Sequence, residues 1–596
     1  MSIVLAISFG QWSTSPDEPL WLGDGVQAKV KATSDGGAYV AWLSDGSYHV
    51  YLQRLNSNGE QQWGDGGMVV SDQPNSSWIA VHHMNLVVDG NDNAIISTLD
   101  TRTGLWQVYA YKIAPDGSMP WGTDGLTLSI SGSENISPRL TVLEDKSVAV
   151  AWCQDYATVR IQRISESGVL EWGDGGIHIQ DNTGDLLNPL PVAVDDNNIL
   201  LQWNHQTGPF WAPDSKLYLQ KYTSSGNELW GSPVVAVGPV VFPTGNYFQE
   251  SLTDNVGGSF SAWTQMAGSN QSGLAQRIDG TGQSMWGNGV EFSTNSAHFR
   301  TNPRTVIDGS QELMAAWTES NGSQSQHGVY AQRLDENGDR LWGSNGVAVE
   351  PLNGNYSYLD LSIEGFGDDM IVAYIEQSVN MSGDIYASRL NSNGLFSWFQ
   401  HTVTLTTSGN SKSDMSSGKG PGCVFIVWSE NGSVFAHCLL EDGTLGVPEQ
   451  EDTEVSVDYL TGWNMVGLPV LIDNAQYQTL FPEAYSGSLY SFNGSYQQET
   501  MLTPGTGYLL RLALGETLEF TGSPINDLTL SIIDGWNLIS GLSTPVDVAV
   551  LYDSGLVVAN GIYGYDDGYN NVDMINPGKG YWVRASGSGN IILTID

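Results

Sequence analysis

Positive charge is scarce in this chain. Only 22 of 596 residues are Lys or Arg, against 65 Asp or Glu, for a formal charge of −43. Such a surface repels phosphate backbones, which excludes nucleic acid as a partner. It suits solubility in a salty medium and also attracts divalent cations. Cysteine is nearly absent, with three in the chain and no Cys-x-x-Cys spacing. That removes zinc-ribbon, thioredoxin-type and haem-attachment readings. The nine histidines are scattered, and no HExxH, Walker loop or nucleophile elbow occurs. The one adjacent pair, His82-His83, falls on an expected strand, where neighbours face opposite sides and cannot line one site. No apolar run approaches the ~18 residues of a membrane span. The short run from Ser2 to Phe9 reads as the end of a signal peptide lacking its basic start, so residues 1–10 are expected to be a targeting remnant.

Glycine and tryptophan, in contrast, are abundant, at 70 and 21. Many turns between short apolar runs point to β structure. A repeat is visible in QRLNSNGEQQWGDGG at 53–67, QRISESGVLEWGDGG at 162–176, QRIDGTGQSMWGNG at 276–289 and QRLDENGDRLWGSNG at 332–346. Weaker copies carry the anchoring tryptophans to seven: Trp63, Trp121, Trp172, Trp230, Trp286, Trp342 and Trp398, spaced by 58, 51, 58, 56, 56 and 56 residues. A period in the fifties fits one four-stranded propeller blade. The first strand often starts near Pro, the second ends in an aromatic such as Trp42 or Trp317, and the third holds the Gln-Arg pair. One member of that pair should face a blade interface and the other solvent. The tryptophans read as packing residues between blades.

An eighth copy, from about 422 to 443, lacks its Trp-Gly strand, while PLWLGDGV at 19–26 resembles a fourth strand without the preceding three. An open ring would leave two unpaired edges. The expected fold is therefore an all-β, eight-bladed β-propeller over 19–446, its last blade closed by the N-terminal strand. Residues 447–454 read as an acidic linker. A second repeat follows: GWNMVGLPV at 462–470 returns as GWNLISGL at 535–542, and PGTGYLLR at 504–511 as PGKGYWVR at 577–584, offset by 73 residues. This implies a duplicated small β module, copies 455–527 and 528–596, with Trp463, Trp536, Tyr508 and Tyr581 as core residues.

The GWN…PGxGYW pattern resembles modules near the C-termini of large secreted proteins of marine, Bacteroidota-like bacteria, where a type IX sorting domain often follows. The resemblance covers about the last 140 residues. It implies export and display at the surface of a Gram-negative cell, and no chemistry. LDENGDRLWG at 334–343 resembles the tryptophan-docking motif of eight-bladed quinoprotein dehydrogenases. The adjacent Cys-Cys pair of many such enzymes is missing, so the resemblance extends to blade packing alone.

Few residues offer chemistry. Lys29, Arg139 and Arg304 fall at comparable points of their first strands, which would set them along a channel to receive an anionic ligand; the alternative is pairing with loop carboxylates such as Asp145 or Asp308. The turns DGNDN at 89–93 and DDGYNNVD at 566–573 are oxygen-rich, so Ca²⁺ is the one ion considered, and turn chemistry explains both. No other cofactor is expected. Cys423 and Cys438 lie on adjacent strands of the last blade. With Trp428 opposite Val434, one bulge would join them in a disulfide; otherwise they are two buried thiols. Lacking an assembled catalytic set, the chain is expected to be a monomeric, non-catalytic recognition protein for an extracellular glycan or protein ligand. The alternatives are an extracellular propeller enzyme, polymer-degrading or quinone-dependent, and a structural spacer.

Overall fold

The computed structural model describes residues 12–594 other than 78, 80–83, 131, 210–212, 241–248, 448–451, 473 and 567. The expected targeting remnant at 1–10 and the His82-His83 pair lie outside the described residues. The chain forms two compact units, Met1–Pro448 and Glu449–Asp596.

Short apolar runs broken by glycine turns give the first unit a propeller-like, all-β architecture. Among the described residues it holds eight four-stranded antiparallel sheets. In the first of these, Val26–Ala32, Ala38–Leu43, Val50–Leu55 and Met68–Ser71 pair in chain order. Six more repeat that order, with first strands Asn85–Val88, Asn135–Val142, Asp185–Val194, Glu250–Thr253, His298–Ile307 and Tyr356–Phe366. The last sheet takes Lys412–Gly420, Cys423–Glu430 and Ser433–Leu440 from one end of the unit and Leu20–Asp24 from the other, with Leu20 opposite Ala436. First strands of successive sheets touch, and Val26–Ala32 touches both Asn85–Val88 and Lys412–Gly420.

The repeat is explained by one contact made between neighbouring sheets. In six repeats the anchoring tryptophan sends its indole N–H to a carbonyl in the next repeat's turn, as from Trp121 to Glu166 at 3.1 Å, Trp286 to Glu336 at 3.0 Å, Trp342 to Ser392 at 3.0 Å and Trp398 to Glu441 at 2.9 Å. Trp172 and Trp230 bond Ser224 and Gly280 in the same way. The ring then lies on the glycine of that turn. Gly338, at φ +82°, has no room for a side chain, since a Cβ there would sit 3.1 Å from Trp286. Trp63 lies against Gly117 in the corresponding position.

Trp12 fills the same role for the first repeat. Its indole donates to the Ser57 carbonyl at 3.1 Å, and Gly59 lies against its ring. It precedes Trp63 by 51 residues, the spacing between Trp121 and Trp172. The N-terminal segment thus supplies both a strand and an indole that the last repeat lacks.

The Gln-Arg pair departs from expectation, since both members are buried at 53–54, 162–163 and 332–333. Gln332 donates to Gly343 O at 2.8 Å and accepts from Trp342 N at 2.9 Å, latching the third strand to the Trp-Gly turn. Its neighbour Arg333 turns to Asp308 at 2.5 Å rather than to solvent. Arg54–Asp35, Arg163–Asp145 and Arg277–Asp254 repeat the ion pair. A buried guanidinium needs a buried carboxylate, and the turn between first and second strands supplies it.

The second unit shows its duplication in matched strands. Gly462–Val466 pairs with Tyr508–Leu512, and Gly535–Ser540 with Gly580–Ala585. Thr453–Tyr459 pairs with Glu516–Pro524, so β structure begins inside the stretch expected to be linker. Each copy has its own apolar core, and a small cluster of Met465, Leu538 and Trp582 joins them. Tyr508 and Tyr581 are core residues, but Trp463 and Trp536 are not, being 44% and 41% exposed.

Candidate functional site

The first strands of the first unit share a distortion. In six of them one extra residue enters opposite the second strand, and a residue other than glycine takes a left-handed conformation there. These are Gln27 (φ 59°), Ser137 (53°), Asn188 (51°), Asn302 (54°), Asp360 (45°) and Asp414 (56°). The register shifts at the same places, between Val26 and Lys29, Ile136 and Arg139, Leu187 and Leu190, Thr301 and Arg304, Leu359 and Ser362, and Ser413 and Ser416. Three of these left-handed residues precede proline, which has no N–H to leave unpaired. Each such residue costs about 1–3 kcal/mol.

The bulges bring charge together. Lys29 lies within electrostatic reach of Asp414, Arg304, Arg139 and Asp360. Burial pushes its ammonium below the usual lysine range; Asp414 opposes that shift, and the two arginines add to it. Burial also raises the Asp360 carboxyl, and the Asp414 carboxylate raises it further, against hydrogen bonds from the Met415 and Asp414 amides. Met415 N lies 3.4 Å from Asp360 Oδ2. Arg139 is pushed down to about 10 by burial, so it keeps its charge at neutral pH, and its Nη1 donates to Pro138 O at 3.0 Å. Arg304 donates through Nε to Leu361 O at 3.1 Å and through Nη1 to Glu250 Oε1 at 3.1 Å. The other Glu250 oxygen accepts from Thr305 N at 2.6 Å. Further along the strands, Ser417 donates to Glu364 at 2.7 Å, and burial raises that carboxyl.

Arg139 and Arg304 therefore both lie within electrostatic reach of Lys29. The loop carboxylates weighed as alternative partners are engaged elsewhere, Asp145 with Arg163 and Asp308 with Arg333. Asp360 and Asp414 escape the sequence reading because their strands carry Leu361 and Met415 where three of the others carry proline. A signal did exist: Asp360 stands 58 residues after Asn302, one repeat on. Among the described residues no group of three or more His, Cys, Asp or Glu side chains is placed to hold a metal ion. In the turn at 89–93, Asp89 is paired with Lys112 at 2.8 Å.

The cysteines are three buried free thiols. Of the two alternatives for Cys423 and Cys438, the structure has the buried thiols and not the disulfide, and the register explains it. A two-residue turn, Asn431-Gly432, sets Trp428 opposite Phe435 instead of Val434. Cys438 then faces Phe425 and Cys423 faces Leu440, so the sulfurs are diagonal neighbours.

No protein-family model matches the chain, and no curated protein matches it. Solved structures of similar shape exist. An ulvan lyase of polysaccharide lyase family PL25, bound to GlcA(1-4)Rha3S, aligns with a TM-score of 0.40 at 10% identity, over 65% of this chain and 97% of that one. The polysaccharide lyase Uly1 aligns with a TM-score of 0.37 at 10% identity, over 75% of this chain and 94% of that one. A Penicillium chrysogenum α-L-arabinanase complexed with arabinobiose aligns with a TM-score of 0.30 at 13% identity, over 51% and 92%. Likenesses of this degree transfer no residue roles. The expectation of non-catalytic recognition is nonetheless corrected here. The solved structures named above are of polysaccharide lyases and an arabinanase, enzymes and not binding modules.

Proposed function

We propose that the first unit is a closed, eight-bladed β-propeller that cleaves an anionic polysaccharide outside the cell, in its axial channel. Support for closure comes from the touching first strands, the pairing of Leu20–Asp24 with Ser433–Leu440, and Trp12 in the docking position. Support for export comes from the apolar run at 2–9 and the resemblance of the C-terminal module. The observation that carries the function is the meeting of Lys29, Arg139, Arg304, Asp360 and Asp414 on strained bulges. Cations gathered in a molecule of charge −43 select an anionic sugar.

The chemistry is acid–base. Arg139 and Arg304 hold a uronate carboxylate and spread its charge, which acidifies the neighbouring C–H. Lys29, its ammonium destabilised by burial, takes that proton as the free amine. The electron pair forms a C=C bond, the bond to the glycosidic oxygen breaks, and Asp360, held towards its protonated form, protonates the leaving oxygen. The Asp360–Asp414 pair favours a second reading, hydrolysis with Asp360 as acid and Asp414 as base for water. Incubation with uronate-containing and sulfated polysaccharides, followed by mass spectrometry, tests both. Elimination gives unsaturated ends and hydrolysis gives saturated reducing ends. Arg139→Ala and Asp360→Asn should each lower kcat/KM at least 100-fold. Intact polymer throughout the panel, or unchanged rates in both variants, would overturn the reading.

A further inference from the structure

A cleft in the second unit carries a different chemistry. It has a volume of about 520 Å³ and is lined by Trp463, Asn464, Tyr490, Tyr496, Leu509, Tyr565 and Tyr569. That volume lies within the ~300–1,000 Å³ of small-ligand sites. Five of the seven are aromatic, and none is charged. The rings are open to solvent: Trp463 is 44% exposed, Tyr496 54%, Tyr565 38% and Tyr569 57%. They are also braced, Trp463 against Tyr490 at 6.3 Å, Tyr496 against Phe492 at 5.4 Å and Tyr565 against Tyr569 at 5.2 Å.

The duplication explains where the cleft lies. Tyr496 and Tyr569 are equivalents, 73 residues apart, and both hairpins reach the same space over Trp463. The equivalents of Trp463 and Leu509 are Trp536 and Trp582. In the second copy the Trp582 indole sits 6.1 Å from Trp536 and 4.9 Å from Phe492 of the first copy, and so occupies the corresponding space. Leucine in place of tryptophan keeps the first cleft open.

We infer that this cleft binds a glycan through an uncharged stretch of sugar rings. A pyranose presents a C–H face that stacks on indole and phenol faces, while its equatorial hydroxyls reach tyrosine O–H groups at the rim. The chemistry of the lining selects that occupant. Asn464 is committed to its own backbone, donating to Leu460 O at 2.7 Å and Gly462 O at 3.1 Å, so it serves as wall. An uncharged lining in so acidic a chain neither attracts cations nor pairs with charged peptide side chains. The inference stands apart from the channel reading, since the two sites share no residue.

The test uses the full chain in affinity electrophoresis through gels containing single neutral polysaccharides, with carboxymethylated gels alongside. Wild type should be retarded by at least one neutral polymer. Trp463→Ala and Tyr569→Ala should weaken that retention at least tenfold with unchanged thermal midpoints, while Leu514→Ala, a 62% exposed position outside the cleft, retains it. Arg139→Ala should leave retention intact, so failure of the channel reading and failure of this one are distinguishable. No retardation by any neutral polymer, or equal retention by Trp463→Ala and Tyr569→Ala, would overturn the inference. Retention confined to the carboxymethylated gels would overturn it as well.

Discussion

Removing the Trp12 indole should open the first unit where its two ends meet. The ring is buried and lies 5.5 Å from Phe425, and its N–H reaches the Ser57 carbonyl at 3.1 Å. A buried indole removes about 200 Å² from water, worth about 5 kcal/mol at ~25 cal/mol per Å². The hydrogen bond adds about 1 kcal/mol. Collapse of neighbours into the space offsets part of this, which leaves about 3–5 kcal/mol for Trp12→Ala. The loss should be local, because Leu20–Asp24 is held by Ser433–Leu440 on one side and follows Trp12 directly. Hydrogen exchange read by mass spectrometry resolves this. Amides of Leu20–Asp24 and Ser433–Leu440 should exchange about 100-fold faster or more, since 1.4 kcal/mol is a factor of ten. Trp342→Ala should instead loosen the turn around Ser392–Gly394, where its indole docks. Wild-type exchange in Trp12→Ala would refute the closing role of the N-terminal segment.

Two further outcomes follow from buried groups. Among the described residues, neither ring nitrogen of His437 has a hydrogen-bond partner, and burial pushes its pKa down to about 4. The unfolded chain takes up that proton near pH 6.5, so native stability is full above about 6.5 and falls as the pH drops towards 4. His437→Leu should flatten that part of the acid dependence in urea unfolding, and an unchanged slope would contradict the assignment. Thiol titration of denatured, unreduced protein should find all three cysteines free; a single thiol would mean that Cys423 and Cys438 are bridged.

The sequence shows most where a contact repeats. An indole that must lie on the next repeat's glycine cannot be moved, so the tryptophan period runs through seven copies. Trp12 stands alone, without the Gln-Arg strand that frames the others, and the strand at 20–24 was legible while the indole beside it was not. The cysteine pairing turned on one residue of register, which the turn type set. The cations of the cluster could be picked out because two of them follow proline. Asp360 and Asp414 could not, because their role depends on a backbone distortion and on burial, and neither shows in composition. Trp463 and Trp536 resemble core residues in a motif; only the packing of the two copies shows that their faces stay open.

The function proposed for the first strands is to bind and cleave an anionic glycan. Its most direct test is a crystal structure of Asp360→Asn soaked with a uronate-containing oligosaccharide that wild type cleaves. The sugar carboxylate should lie against Arg139 and Arg304, with the glycosidic oxygen facing position 360. A ligand bound elsewhere on the first unit, or a substrate that wild type cleaves while the axial cluster stays empty in the variant, would contradict it.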